Sequence, residues 1–94
     1  MASAVEPSGR PAKVQAPEGA RVIDVRTPGE YFSRPSQVTG AELVPLADLP
    51  LRAGSWARDR ALVVVCDDGH RSRLAVAWLR NHGFQAVRAL EAAS

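Results

Sequence analysis

The sequence predicts a small α/β domain in which helices flank a mainly parallel sheet. The chain has 94 residues, enough for one domain with one modest core. Residues 61–66 are continuously apolar, a pattern typical of a strand buried on both faces in a parallel sheet. Strand-like and helix-like segments alternate along the chain, which favours parallel strands joined by helical crossovers.

The N-terminal half begins with a segment that resists regular structure. Residues 1–18 are rich in proline, and we interpret them as a flexible arm that precedes a domain at residues 19–94. The β-branched run at residues 21–26 predicts the first strand. A short helix should follow, because Thr27 can form a capping box with Glu30 and because proline occupies the first helical position.

The middle of the chain predicts shorter elements. Residues 42–44 suit a second short strand, and residues 46–49 suit a brief helical or loop segment that Pro50 ends. Residues 55–60 form a connection, in which we expect Trp56 to pack as a lid on the core.

The C-terminal half carries the clearest pattern. The apolar strand at residues 61–66 leads into a polar loop, and residues 71–82 then show helical spacing of apolar side chains. Gly83 is placed to end this helix as its C′ residue. Residues 85–90 predict a last strand.

Composition excludes several classes of site. One cysteine cannot form an intrachain disulfide or a multi-cysteine metal centre. We expect no membrane span, no signal peptide, no metal and no cofactor, and we assign the chain to the cytoplasm, where a lone thiol stays reduced. The arginines are scattered without a basic stripe, so we expect no nucleic-acid partner.

The segment with the most chemistry surrounds this cysteine. Cys66 ends the buried strand, Gly69 interrupts the loop and a helix follows, so loop N–H groups and the helix N-terminus should form an anion-binding concavity. Such a site favours the thiolate. Arg71 could add positive charge, and Ser72 could donate a hydrogen bond or cap the helix. The alternative interpretation is an inert buried cysteine.

Four segments resemble motifs of the rhodanese-like family in the same order. They are IDVRTPGEY at residues 23–31, VTGAELVPL at 38–46, VVVCDDGHRS at 63–72 and RNHGFQAVRAL at 80–90. The resemblance implies a rhodanese-like fold with reduced terminal helices, and a sulfurtransferase that carries sulfane sulfur as a Cys66 persulfide.

The resemblance also implies roles for the neighbouring residues. Arg71 would stabilise the anionic group or anchor the loop. Asp24 and Arg26 would be structural residues near the site, with substrate contact as the alternative. A small-molecule or protein-bound donor would supply sulfur to a thiophilic acceptor. The residues expected to bind substrate, mainly through backbone N–H groups, are Asp67, Asp68, Gly69, His70 and Ser72.

Two departures from the family pattern lead to further expectations. Asp67 and Asp68 add negative charge beside the thiol, which predicts poor use of thiosulfate. The reduced terminal helices leave one sheet flank less covered, which predicts a homodimer or marginal stability.

Other functions stay open. The main alternative is a non-catalytic rhodanese-like binding or regulatory module. A phosphatase or arsenate reductase is a lesser one, because the loop between Cys66 and Arg71 is one residue shorter than in the related cysteine phosphatases.

Overall fold

The computed structural model describes residues 15–36, 38–66 and 69–91. Two single turns of 3-10 helix, at Leu46–Asp48 and Ala53–Ser55, flank the second α-helix. The strands and α-helices are β1 (Arg21–Asp24), α1 (Pro28–Ser33), β2 (Glu42–Leu43), α2 (Leu49–Arg52), β3 (Leu62–Cys66), α3 (His70–Asn81) and β4 (Val87–Glu91).

The four strands form one parallel sheet in the order β2-β1-β3-β4. All five residues of β3 are buried, as expected for a central strand covered on both faces. The predicted α/β class is therefore confirmed, and every strand pair is parallel. Because parallel strands end at the same edge, the carboxyl ends of β1, β3 and β4 lie together.

One face of the sheet holds the larger core, which packs against α2 and α3. Trp56 is buried there, as predicted, and Trp78 packs against the margin of the same cluster. Its buried members are Ile23, Val25, Val44, Leu49, Ala53, Trp56, Leu62, Val64, Cys66, Ala75, Val76, Leu79, Phe84 and Val87.

The other face is covered by fewer and smaller side chains. Its buried cluster is Val22, Val38, Val63 and Val65. Three alanines and a leucine pack against it from the described segment before β1, the turn before β2 and the end of β4: Ala16, Ala20, Ala41 and Leu90.

The ends of α1 and α3 form as the sequence predicts. Thr27 and Glu30 make the capping box at the start of α1. At the end of α3, Gly83 has φ +92°, and the N–H groups of Gly83 and Phe84 donate to the carbonyls of Arg80 and Leu79. This is a Schellman motif, and buried Phe84 supplies its apolar contact.

Pro50 corrects one prediction. It was expected to end the helical segment that starts at Leu46, but it lies in the first turn of α2, which continues to Arg52. A proline in the first turn costs no hydrogen bond, because the N–H groups there have no intrahelical partner. No helix in the described part of the chain is long and apolar enough to span a membrane.

Candidate active site

Cys66 is the last residue of β3 and lies at the carboxyl edge of the sheet. Its side chain is free of any disulfide and is completely buried, with 0% exposure, in the core shared with α2 and α3. β1 and β4 flank β3, so the sulfur lies at the centre of the edge where parallel α/β sheets bind ligands. The position is the one predicted from the sequence.

Gly69, three residues after Cys66, leads the chain into α3. Gly69 is the N-cap of α3 and has φ +76°, a left-handed conformation that glycine adopts without strain. The Ser72 hydroxyl is buried and donates to the Gly69 carbonyl at 3.0 Å, and the Arg73 N–H donates to the same oxygen. Ser72 therefore fixes the loop exit and does not occupy the N-cap.

The other residues predicted to bind substrate through the loop are His70, Asp67 and Asp68. His70 is the first residue of α3 and is exposed. Asp67 and Asp68 lie outside the described residues. Their expected contacts with a sulfur donor stay predictions.

Arg71 makes a two-pronged ion pair with Glu30, a residue of α1. The Arg71 Nη1 and Nη2 atoms donate to Glu30 Oε1 and Oε2 at 2.6 and 3.0 Å. Glu30 Oε1 also accepts the N–H and hydroxyl of Thr27, both at 3.0 Å. One carboxylate thus joins the start of α3 to the capping box of α1. Of the two roles expected for Arg71, this contact favours loop anchoring.

The contacts around Glu30 hold its carboxylate in the ionised form. The Arg71 guanidinium, followed by the Thr27 N–H, lowers the pKa of Glu30 from 4.5 to about 2. A lowered pKa in the folded state stabilises the fold above the ordinary pKa, and that contribution disappears as the pH falls through the folded value.

Replacing Glu30 by glutamine should therefore change the acid dependence of stability. We expect Glu30→Gln to unfold more easily than the wild type at neutral pH. The difference should shrink as the pH falls from about 4.5 to about 2, where the wild-type carboxylate is itself neutralised. Urea unfolding of the wild type and of Glu30→Gln across this pH range measures the difference in stability and its dependence on pH. A matched control is Glu18→Gln, which removes an exposed carboxylate with no hydrogen bond or ion pair to another described residue. A pH-independent difference for Glu30→Gln would contradict the expectation.

Asp24 and Arg26 form a second ion pair, in which both side chains are buried. The Arg26 Nε lies 2.9 Å from Asp24 Oδ1, and the Arg26 Nη2 lies 2.9 Å from Oδ2. The Arg26 N–H donates to Oδ1 as well. Asp24 lies opposite Val65 in the β1–β3 register, and Val65 directly precedes Cys66 in β3.

The buried pair also organises the segment around α1. The Arg26 guanidinium lies 5.8 Å from the centre of the Tyr31 ring, and the Tyr31 hydroxyl donates to the Ala41 carbonyl at 3.3 Å. Among the described residues, every buried side-chain nitrogen and oxygen has a hydrogen-bond partner. These contacts supply the opposite charge and the hydrogen bonds that a buried charge requires, and they agree with a structural role for Asp24 and Arg26.

Sequence reasoning found Glu30 only as a capping residue. Its ion pair with Arg71 joins positions 41 residues apart, and no local pattern in either segment reveals it. One signal was available in the sequence. After the capping box is assigned, one carboxylate oxygen of Glu30 has no predicted partner and could accept from a second donor.

Comparison with known proteins gives the same family from sequence and from structure. The sequence-family model of the rhodanese-like domain matches residues 11–93 of the chain. The chain is 32% identical over 73 residues to thiosulfate sulfurtransferase GlpE of Stutzerimonas stutzeri, a match that covers 78% of this chain and 65% of that protein.

A tRNA sulfurtransferase of Edwardsiella ictaluri is 36% identical over 73 residues, which cover 76% of this chain. The matched region spans only 15% of that enzyme. The chain therefore corresponds to a small part of that enzyme.

Solved structures share the fold. A rhodanese homologue from Thermus thermophilus superposes with a TM-score of 0.60 at 32% identity, covering 85% of this chain and 93% of that one. A rhodanese-like domain from Anabaena gives a TM-score of 0.66 at 30% identity, covering 76% and 80% of the two chains. With the family model spanning nearly the whole chain and relatives named as sulfurtransferases, the protein belongs to the rhodanese-like domain family.

Proposed function

We propose that this protein is a sulfurtransferase that carries sulfane sulfur on Cys66. The observation that supports this most is the position of the thiol, at the carboxyl end of the central strand and three residues before Gly69, the N-cap of α3. Its membership of the rhodanese-like family and its sulfurtransferase-named relatives support the same reaction class.

The reaction needs two transfers and no external oxidant or reductant. The Cys66 thiolate attacks the outer sulfur of a donor, the new S–S bond forms, and the donor's bond to that sulfur breaks with its electron pair leaving on sulfite or a thiolate. An acceptor nucleophile then attacks the terminal sulfur of the persulfide, and the Cys66 thiolate is regenerated.

The residues after Cys66 would hold the persulfide. In this proposal N–H groups from Asp67 to Ser72 would surround the anion, because successive loop amides and a helix N-terminus can together form a concavity that binds a small anion. In this proposal Arg71 acts as a positioning residue, because its guanidinium is engaged by Glu30. The protein would act in the cytoplasm, where its thiol stays reduced.

The donor should be a persulfide on a small thiol or on a protein in preference to thiosulfate. Asp67 and Asp68 place two carboxylates next to the thiol in the sequence, and a dianionic donor is repelled more strongly than a persulfide of lower charge. The acceptor would be a thiophilic nucleophile.

Intact-mass measurement after incubation with each donor tests the proposal. The reduced protein should gain the mass of one sulfur atom with glutathione persulfide, and less readily with thiosulfate, and cyanide should remove the added mass. If no donor adds sulfur to the folded protein, the sulfurtransferase proposal fails. Rapid turnover at low thiosulfate concentration would refute only the donor preference.

The complete burial of Cys66 favours a second candidate, a non-catalytic binding module of the same fold. A thiol with 0% exposure meets a donor only after the surrounding chain opens, whereas a docking module needs no reactive sulfur. The two candidates separate in the same experiment: the module predicts no sulfur adduct with any donor.

A further inference from the structure

The strand β4 forms one edge of the sheet. It pairs with β3 on one side, and no other described strand pairs with its outer side. The Leu62 N–H donates to the Ala86 carbonyl, and backbone groups alternate in direction along a strand. The N–H and C=O groups of Val87 and Ala89 therefore point away from β3, toward the side of β4 that no described strand covers.

A groove runs along this edge between β4 and α3. It has a volume of about 300 Å³ and is lined by Arg73, Val76, Ala77, Arg80 and Ala89. The alanines and valine give it an apolar floor, and both arginines are exposed. The Arg80 Nη2 donates to the Val87 carbonyl at 2.8 Å, which agrees with the outward direction of that carbonyl.

Arginines lie on both faces of the sheet along this edge. Arg73 makes no ion pair or hydrogen bond through its side chain with any described residue, and Arg80 bonds only to the backbone. Arg88 is exposed on the opposite face of β4. The described carboxylates that pair with arginine lie elsewhere, at Asp24, Glu30 and Glu42.

We propose that the β4 edge binds an extended acidic segment of a partner protein. The segment would add as a strand, bonding to the outward backbone groups of Ala89 and its neighbours, while alternate side chains enter the groove. Carboxylates on that face would meet Arg73 and Arg80.

The location connects this surface with the candidate active site. Glu91 pairs with Cys66 in the β3–β4 register, so the carboxyl end of β4 lies at the same edge as the thiol. A segment bound along β4 therefore reaches that edge. The binding itself does not depend on sulfur chemistry, and its test requires none.

The test uses short fluorescein-labelled peptides and the full chain. We expect a peptide that alternates aspartate and valine to bind in low salt, and one that alternates lysine and valine not to bind. An aspartate–proline peptide, which keeps the charge but lacks alternate N–H donors, should bind weakly. Amide resonances of Ala89 and its neighbours should shift on binding.

Charge reversal locates the site. Arg73→Ala should weaken binding by up to about fivefold, the range measured for exposed ion pairs. Arg73→Glu should weaken it further and admit the lysine peptide. The matched control is Arg52→Glu, which reverses an exposed arginine on α2, and it should change binding little. Arg73 is exposed and has no polar partner among the described residues, so its variants should fold normally.

Three results would overturn the proposal. One is equal binding of the acidic and basic peptides. Another is unchanged binding in Arg73→Glu, which would assign the peptide to a different basic surface. The last is self-association through the β4 edge. It would appear as a dimer in sedimentation without peptide, and dimer formation would protect the Ala89 amide from hydrogen exchange.

Discussion

Replacing Cys66 by serine should reduce sulfur transfer to the rate measured without protein. The serine hydroxyl is a poor nucleophile at neutral pH and cannot form the S–S bond on which the proposed reaction depends. No mass of added sulfur should appear with any donor. Because Cys66 is the only cysteine in the chain, no other thiol can take over the transfer.

A second variant separates chemistry from folding. Cys66 belongs to the buried core, and serine places a hydroxyl there at a cost of about 1–3 kcal/mol if that hydroxyl lacks a partner. Cys66→Ala removes the sulfur without adding a polar atom and leaves a small cavity. Both variants should be inactive while their unfolding midpoints differ. Transfer retained by a folded Cys66→Ala protein would exclude the persulfide mechanism.

The elements predicted best are those whose signal is local. The valines of β3 indicate a strand buried on both faces, and Thr27 with Glu30 specifies the start of α1 within four residues. Gly83 specifies the end of α3 in the same way, because the left-handed conformation needed there favours glycine. The position of Cys66 follows directly from the end of β3.

The contacts predicted least well are those made across the sheet. Glu30 and Arg71 meet only because the parallel order of the strands brings the start of α1 and the start of α3 to one edge. A local pattern does not contain that order. Pro50 was misplaced for a related reason: a proline can stop one helix or begin another, and only the chain on both sides decides which.

Replacing Asp24 by alanine should destabilise the protein by about 3–5 kcal/mol, the cost of removing one partner from a buried ion pair. The Arg26 side chain is 3% exposed, and its guanidinium would keep its charge while losing the carboxylate that it contacts through Nε and Nη2. The Arg26 N–H would lose its acceptor as well. Urea unfolding at neutral pH measures the change.

Two comparisons test whether this loss of stability arises from burial of the ion pair and from leaving the Arg26 charge without its partner. Glu42→Ala breaks two exposed ion pairs, with Arg21 at 2.6 Å and with Arg52 at 3.4 Å. The side chains of Arg21 and Glu42 are 27% and 40% exposed, so the variant should cost at most about 1 kcal/mol. The double variant Asp24→Ala/Arg26→Ala should cost less than the sum of the single variants, since no unpaired charge remains. An Asp24→Ala protein of normal stability without sulfur transfer would instead assign Asp24 to substrate contact. Lost stability with normal transfer per folded molecule would assign Asp24 to the scaffold that supports Cys66.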